Sequence, residues 1–415
     1  PDSISLARTY NNIGQIYMAR RDFPAAADYL SKALQILERK APRTREHADC
    51  LEQLGNLARL ENKFAEAEAR HQESAAIRKQ AANDPLDQIR MRLTLGAIRM
   101  ESGDLTQAEA HYRAALNQAR EIVPASLYAA RSFRGLGETC LRRGDLAAAE
   151  PLLDQARQIV AATAPLSIEE AVIEHLRGDL RRRQDRLRDA LVCYERAVAA
   201  LEGQLEKLGG SREVAEAFAA EYAVFYKDVL ELKLLLNDPR GAFDTLERYR
   251  ARSLLAMMAE RDLDFSRDAP VELLERLETA RARSREAQDV LMQLNPDQEP
   301  ERVSEFQRQL AERRREQALV WDEIRRVSPR LAALRTPATL TLDEVAGVVG
   351  PDTLFLSYAV NDRATHLFAL LNGQLRVETI PVGRQQVHES VEYFLAQLSN
   401  PASRKIRLMG RAHAL

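Results

Sequence analysis

Residues 7–34 read ARTYNNIGQIYMARRDFPAAADYLSKAL, and the fold follows from how this stretch returns along the chain. Its Gly14 recurs as Gly55, Gly96, Gly137 and Gly178, and its Ala26 as Ala67, Ala108, Ala149 and Ala190, always 41 residues apart. Two independent markers in phase over five copies define an internal repeat, the sign of units stacked along one direction. A large apolar residue precedes the glycine as Ile13, Leu54, Leu95 and Leu136, with Arg177 as the departure. Tyr10, Leu51 and Phe133 stand three positions earlier, on the same face of an amphipathic helix. Ala26, Leu30 and Ala33 are matched by Ala108, Tyr112 and Ala115, then by Ala190, Tyr194 and Ala197, and mark a second helix. The turn between the helices recurs as Arg21-Asp22-Phe23, Gly103-Asp104-Leu105 and Gly144-Asp145-Leu146. Each unit is thus predicted to be a helical hairpin, with glycine and alanine where two backbones approach closely.

These residues resemble the tetratricopeptide repeat, legible in Tyr10, Ile13-Gly14, Tyr17, Ala26, Leu30 and Ala33. The 41-residue period makes it similar to the long-helix repeats of kinesin light chains. Five units span residues 7–205, and a degenerate sixth is expected at 214–260, with Ala242 and Leu246 at its second-helix positions. The expected fold is mainly α: a right-handed α-solenoid over residues 1–265, a charged helical arm over 266–336 and a partial α/β unit over 337–415.

The arm is charge-dense: residues 272–335 hold 13 acidic residues, 13 arginines and no lysine. Val303, Phe306, Leu310, Gln317, Val320, Ile324 and Val327 fit a three-four spacing with Arg313 and Gln317 as its polar exceptions, so an antiparallel helical hairpin is expected. The Arg313-Arg314-Arg315 run is flanked by Glu312 and Glu316 and reads as a solvated face. Beyond Pro337 the period falls to two. Leu354, Leu356, Tyr358 and Val360 alternate with Phe355, Ser357 and Ala359, and Asn372-Gly373 separates the next two strand-like runs. Three antiparallel strands are expected, then a helix marked by Val387, Val391, Phe394, Leu395 and Leu398, and a second helix near Ser403.

This order of parts, with residues 341–344 reading TLDE and residues 350–358 reading GPDTLFLSY, resembles bacterial TPR-CHAT proteins. CHAT domains are caspase-like cysteine peptidases related to separase, so the resemblance implies a recognition and regulatory region attached to such a peptidase. The histidine and cysteine motifs of that family are not found in these 415 residues, and the chain as given is expected to be inactive. Cys50, Cys140 and Cys193 fall inside repeat helices and read as small core hydrophobes. His366 lies in a predicted strand and His413 near the end. Two other readings fit the same parts: a non-catalytic adaptor or scaffold, and an effector subunit of a defence complex.

A net charge of −2, with 60 basic and 62 acidic residues, disfavours direct nucleic-acid binding through phosphates. No apolar run reaches transmembrane length, and three unpaired cysteines fit a reducing compartment, so a cytoplasmic protein without cofactor or metal is expected. What the residues do argue for is recognition. First helices of stacked hairpins line a concave groove. The lining expected from the repeat phase comprises Asn11 and Gln15; Glu52, Asn56 and Arg59; Arg90 and Met100; Arg131, Arg134 and Arg142; and His175, Arg182 and Arg183. Forked guanidinium groups suit carboxylates, so the partner is expected to be a protein or peptide of acidic character.

Overall fold

The computed structural model describes residues 3–81, 84–208, 222–259, 270–293, 299–328 and 341–399. Two compact units emerge, one of residues 1–225 with 252–337 and the other of residues 226–251 with 338–415. In the first, ten helices form five hairpins: α1 (Ile4–Ala19) with α2 (Phe23–Lys40), α3 (Arg45–Leu60) with α4 (Phe64–Ala81), and α5 (Pro85–Glu101) with α6 (Leu105–Ile122). The series continues through α7 (Leu127–Arg143) with α8 (Leu146–Thr163) and α9 (Ile168–Arg183) with α10 (Leu187–Leu208). The 41-residue beat reaches the helix ends to within one residue. First helices start at Ser3, Thr44, Asp84, Ser126 and Ser167, and each of these side chains accepts from a backbone N–H of the first turn. Asp22, Asp104 and Asp145 cap second helices likewise. Arg21, Asn62, Gly103, Gly144 and Asp185, all left-handed, turn the chain between them.

Ala26, Ala67, Ala108, Ala149 and Ala190 are all fully buried, and the residue one turn later packs onto the glycine of the first helix. A side chain at Gly14, Gly55, Gly96 or Gly137 would lie 2.6–2.7 Å from Leu30, His71, Tyr112 or Leu153. Successive hairpins are tied by a ladder of Glu68, Glu109 and Glu150, themselves 41 apart, to Arg99 (2.5 Å), Arg143 and Arg181 (2.6 Å) of the following first helix.

The departure at Arg177 has a partner. Where the fourth repeat buries Phe133 and Leu136, the fifth carries Glu174 and Arg177. Glu174 is 1% exposed and receives Arg157 Nε at 2.7 Å and Arg177 Nη1 at 3.1 Å, while Arg177 Nη2 reaches Asp154 at 2.9 Å. An ion network thus replaces an apolar pair.

The arm is the expected hairpin, α13 (Val271–Gln293) against α14 (Pro300–Val327). Leu277, Leu291, Leu310 and Ile324 are its most buried residues, whereas Val327, in the last turn, is 53% exposed. Arg313 pairs with Glu316 at 3.4 Å, as a solvated face would.

In the second unit, α11 (Ala223–Leu235) and α12 (Pro239–Ala259) bring Leu230, Ala242, Phe243 and Leu246 into one core with α15 (Leu342–Val349) and a sheet. The first part of the expected sixth repeat lies outside the described residues. Strands β1 (Phe355–Val360), β2 (Thr365–Leu371) and β3 (Gln374–Ile380) form an antiparallel meander. Ser357 opposes Phe368 and Phe368 opposes Val377 in its register. Asn372 and Gly373 both take positive φ, 52° and 71°, as a two-residue hairpin demands. Phe243 meets the rings of Phe368 and Phe355 edge-on at 6.0 and 6.3 Å. The row facing this core is Phe355, Ser357 and Ala359; Leu354, Leu356 and Tyr358 are 44–54% exposed on the other face. Arg250 donates to Ser357 Oγ at 2.6 Å and to the Tyr358 carbonyl at 2.7 Å, and so covers part of the β1 edge. Helix α16 (Arg384–Ser399) follows, with Val391, Tyr393, Phe394 and Leu395 48–54% exposed. The helix expected near Ser403 lies outside the described residues.

Candidate functional site

First helices touch one another directly, α1 on α3, α5 on α7 and α7 on α9, and so form an inner layer with second helices behind it. Two rows of residues run along that layer at the repeat spacing: Asn11, Glu52, Leu93, Arg134 and His175, and beside them Gln15, Asn56, Ala97, Glu138 and Asp179. Gln15 is exposed, and Asn11 and Asn56 are half-buried. Asn11 Oδ1 is buried and has no hydrogen-bond partner among the described residues. Glu52 accepts from Arg78 of α4 at 2.8 Å.

The arginines are largely engaged within the protein. Arg59 reaches Glu101 at 2.6 Å, and Arg90 pairs with Asp87 of its own helix at 2.5 Å. Arg131 and Arg134 close on the two oxygens of Glu169 at 3.0 and 2.6 Å, which binds α7 to α9. Arg142 donates to Glu138 at 3.0 Å and to the Met100 carbonyl at 3.1 Å, while Arg183 donates to the Leu141 carbonyl at 2.5 Å. Each of these last two guanidinium groups thus adds a second donor to a carbonyl at the end of the preceding first helix, which already accepts from Gly103 or Gly144, and positive charge is favoured there. Arg182 is exposed. Met100 is 2% exposed: its flexible side chain swings into the core, where its sulfur lies 3.9 Å from the Thr139 hydroxyl. His175 stacks on Phe225 at 4.1 Å with Tyr194 alongside at 5.1 Å, and its ring is part of an aromatic cluster.

Residues of the second helices also reach the inner layer, through the gaps the glycines leave. Tyr112 passes between Gly96 of α5 and Gly135 of α7, where added side chains would stand 2.7 and 2.5 Å from its ring. The Tyr194 hydroxyl donates to Asp179 at 2.7 Å. His71, 7% exposed, presses on Gly55, and its Nε2 has no partner among the described residues. Burial lowers the His71 pKa. The unfolded chain therefore takes up a proton first as pH falls below about 6.5, and the stability this ring contributes as a neutral group is lost in acid. These ring tips were not among the expected lining residues, although a hydrogen-bonding ring at the register of Leu30 and Leu153 is visible in the repeat alignment.

The three thiols are poor nucleophiles. Cys50 is fully buried, its pKa pushed up to about 12 by desolvation, and burial raises Cys140 and Cys193 as well. His366 hydrogen-bonds through Nδ1 with Thr379 Oγ1 at 3.0 Å, and burial lowers its pKa. No helix among the described residues is long and apolar enough to cross a membrane.

A comparison with curated proteins finds no match. Among solved structures, the chain is similar to BtubC (BKLC) from P. vanneervenii, at 18% identity over 58% of this chain and 92% of that one, with a TM-score of 0.43. It is similar to Pseudomonas aeruginosa pilF at 17% identity over 62% of this chain and 98% of that one, with a TM-score of 0.38. A Rap protein complexed with competence and sporulation factor is similar at 14% identity over 62% and 66% of the two chains, with a TM-score of 0.43. A tetratricopeptide-repeat family model matches residues 5–80, 87–162 and 128–203, the segments in which the 41-residue hairpins lie. Residues 5–80 and 87–203 are tetratricopeptide repeats.

Proposed function

We propose that the inner layer of the repeats binds an extended, acidic segment of a protein partner. The observation that carries this reading is the alignment of two rows at one residue per repeat, polar in every repeat but the third, where Leu93 and Ala97 stand, a spacing that suits an extended chain. Together α7 and α9 carry eight arginines against five carboxylates, so the surplus charge there is positive. Glu138 and Glu169 already hold Arg142, Arg131 and Arg134, and a ligand carboxylate would join or exchange with them. A fluorescein-labelled hexa-aspartate peptide tests the reading by anisotropy against its hexa-asparagine twin. Arg131→Ala combined with Arg182→Ala is expected to weaken the acidic probe about tenfold or more, the loss of one or two charge-assisted hydrogen bonds. Arg134 still holds Glu169 in that variant, so the thermal melt is expected to stay in place. Equal affinity for both probes overturns the reading.

The finer reading is that this chain is the recognition and regulatory part of a caspase-like TPR-CHAT peptidase, its second unit being the opening portion of the CHAT domain. The apolar outer face of β1 and the exposed apolar residues of α16 support this, as surface that a further layer of the same domain would cover. The gene read past the codon for Leu415, together with the intact mass of the native protein, is expected to show further residues including a histidine and a cysteine at strand ends. A native mass equal to the 46.8 kDa of this chain leaves the adaptor reading instead.

A further inference from the structure

The fifth repeat shows which group fits a hydroxyl on the groove floor. There, the Tyr194 hydroxyl donates to the Asp179 carboxylate at 2.7 Å. Two repeats earlier, Tyr112 occupies the register of Tyr194, but Ala97 stands in the register of Asp179. The Tyr112 ring is 5% exposed and clamped between Gly96 and Gly135, so it cannot swing away to find another acceptor. No hydrogen bond of its hydroxyl exists among the described residues. Around it lie Arg134, Glu138, Glu101 and Arg142, all from first helices. Burial raises its pKa, which keeps the proton in place for donation at neutral pH.

We propose that Tyr112 is a ligand-reading group in the middle of the groove, and that its hydroxyl donates to an aspartate or glutamate carboxylate of the bound segment, in the place Asp179 fills beside Tyr194. This assignment rests on the groove reading above and deepens it. Glu101 is tied to Arg59 at 2.6 Å and Glu138 to Arg142 at 3.0 Å, which tempers their repulsion of an incoming carboxylate. Arg134 and Arg142 supply the offsetting positive charge. Ala97 leaves the volume that Asp179 occupies in the fifth hairpin, and Gly135 removes the side chain that would otherwise close over the ring.

Two variants of the full chain test the assignment, again with the labelled hexa-aspartate probe. Tyr112→Phe keeps the ring and removes the donor; Ala97→Asp supplies an internal acceptor at the position of Asp179. Both are expected to weaken the probe about tenfold, and Ala97→Asp is expected to melt no lower than the parent protein, because its carboxylate gains the hydroxyl. Wild-type affinity in both variants, with binding still lost in the Arg131→Ala, Arg182→Ala protein, overturns the Tyr112 site and leaves the groove reading standing. Absence of any preference for aspartate over asparagine in the parent protein overturns both. Far-UV circular dichroism guards against misfolding of Tyr112→Phe, and Ala97→Asp decides the case if that variant loses helix.

Discussion

Glu174→Ala is expected to destabilise the repeat stack by about 3–5 kcal/mol, among the largest costs a single substitution here can have. The residue is 1% exposed and holds two guanidinium groups, Arg157 at 2.7 Å and Arg177 at 3.1 Å, the latter with only 12% of its side chain exposed. Removing the carboxylate leaves Arg177 desolvated with Asp154 alone to balance it. Charge burial is what makes the loss so costly, and the fourth repeat shows how to remove the charge altogether. At the same two registers it carries Phe133 and Leu136, 6% and 5% exposed. The double substitution Glu174→Phe, Arg177→Leu is therefore expected to recover wild-type stability or exceed it by about 1–4 kcal/mol, since well-packed apolar residues often outdo a buried ion pair. Arg157 and Asp154, 43% and 48% exposed, can turn to water in that variant. Denaturant midpoints of the parent, single and double variants make the measurement. A cost below about 1 kcal/mol for Glu174→Ala would mean that the network is solvated, as exposed pairs are.

The same residues show where reading the chain succeeds and where it stops. Gly14 and Ala26 at a fixed interval were enough to place ten helices, because close backbone contact tolerates few residue types and therefore marks itself. Asn372-Gly373 located the β2–β3 turn for a similar reason: two successive positive φ angles admit few residues. Arg177 stood out as a departure, yet its resolution needed Arg157 and Asp154 on α8, some twenty positions away, and side-chain pairs across elements leave no periodic trace. The expected lining was legible as a set of positions and not as a set of free groups. Arg131, Arg134 and Arg142 carry charge that Glu169 and Glu138 already meet, and Met100 is folded inward, because long side chains choose their partners only when neighbouring hairpins are stacked. Tyr112 was legible only as a core residue; what lets its ring pass between two first helices is a pair of glycines, one on each. The alternation along β1 marked two faces without saying which is buried, and it is the row of smaller residues that faces the core.

Phe243→Ala is expected to unfold the three-stranded unit while leaving the five hairpins intact. Phe243 is fully buried and meets Phe368 and Phe355 edge-on, and around it lie Leu230, Ala242, Leu246, Leu342 and Val345. Truncating a buried phenylalanine to alanine costs about 3–5 kcal/mol, from lost transfer energy and the cavity left behind. A sheet of three short strands has little surplus to absorb that. Three strands need a packed apolar face for independent stability, and here the face is supplied by residues 226–251 and α15. Hydrogen exchange separates the outcomes. Amides of β1, β2 and β3 are expected to lose most of their protection in the variant, while those of α5 to α8 exchange as in the parent protein. The pair α11 and α12 would then be doing the work of a sheet-covering layer: Ala242 and Leu246, the positions expected to mark a sixth repeat, pack in one core with β1 and β2. Protection lost equally from α5 to α8 would overturn the separate stability of the two units.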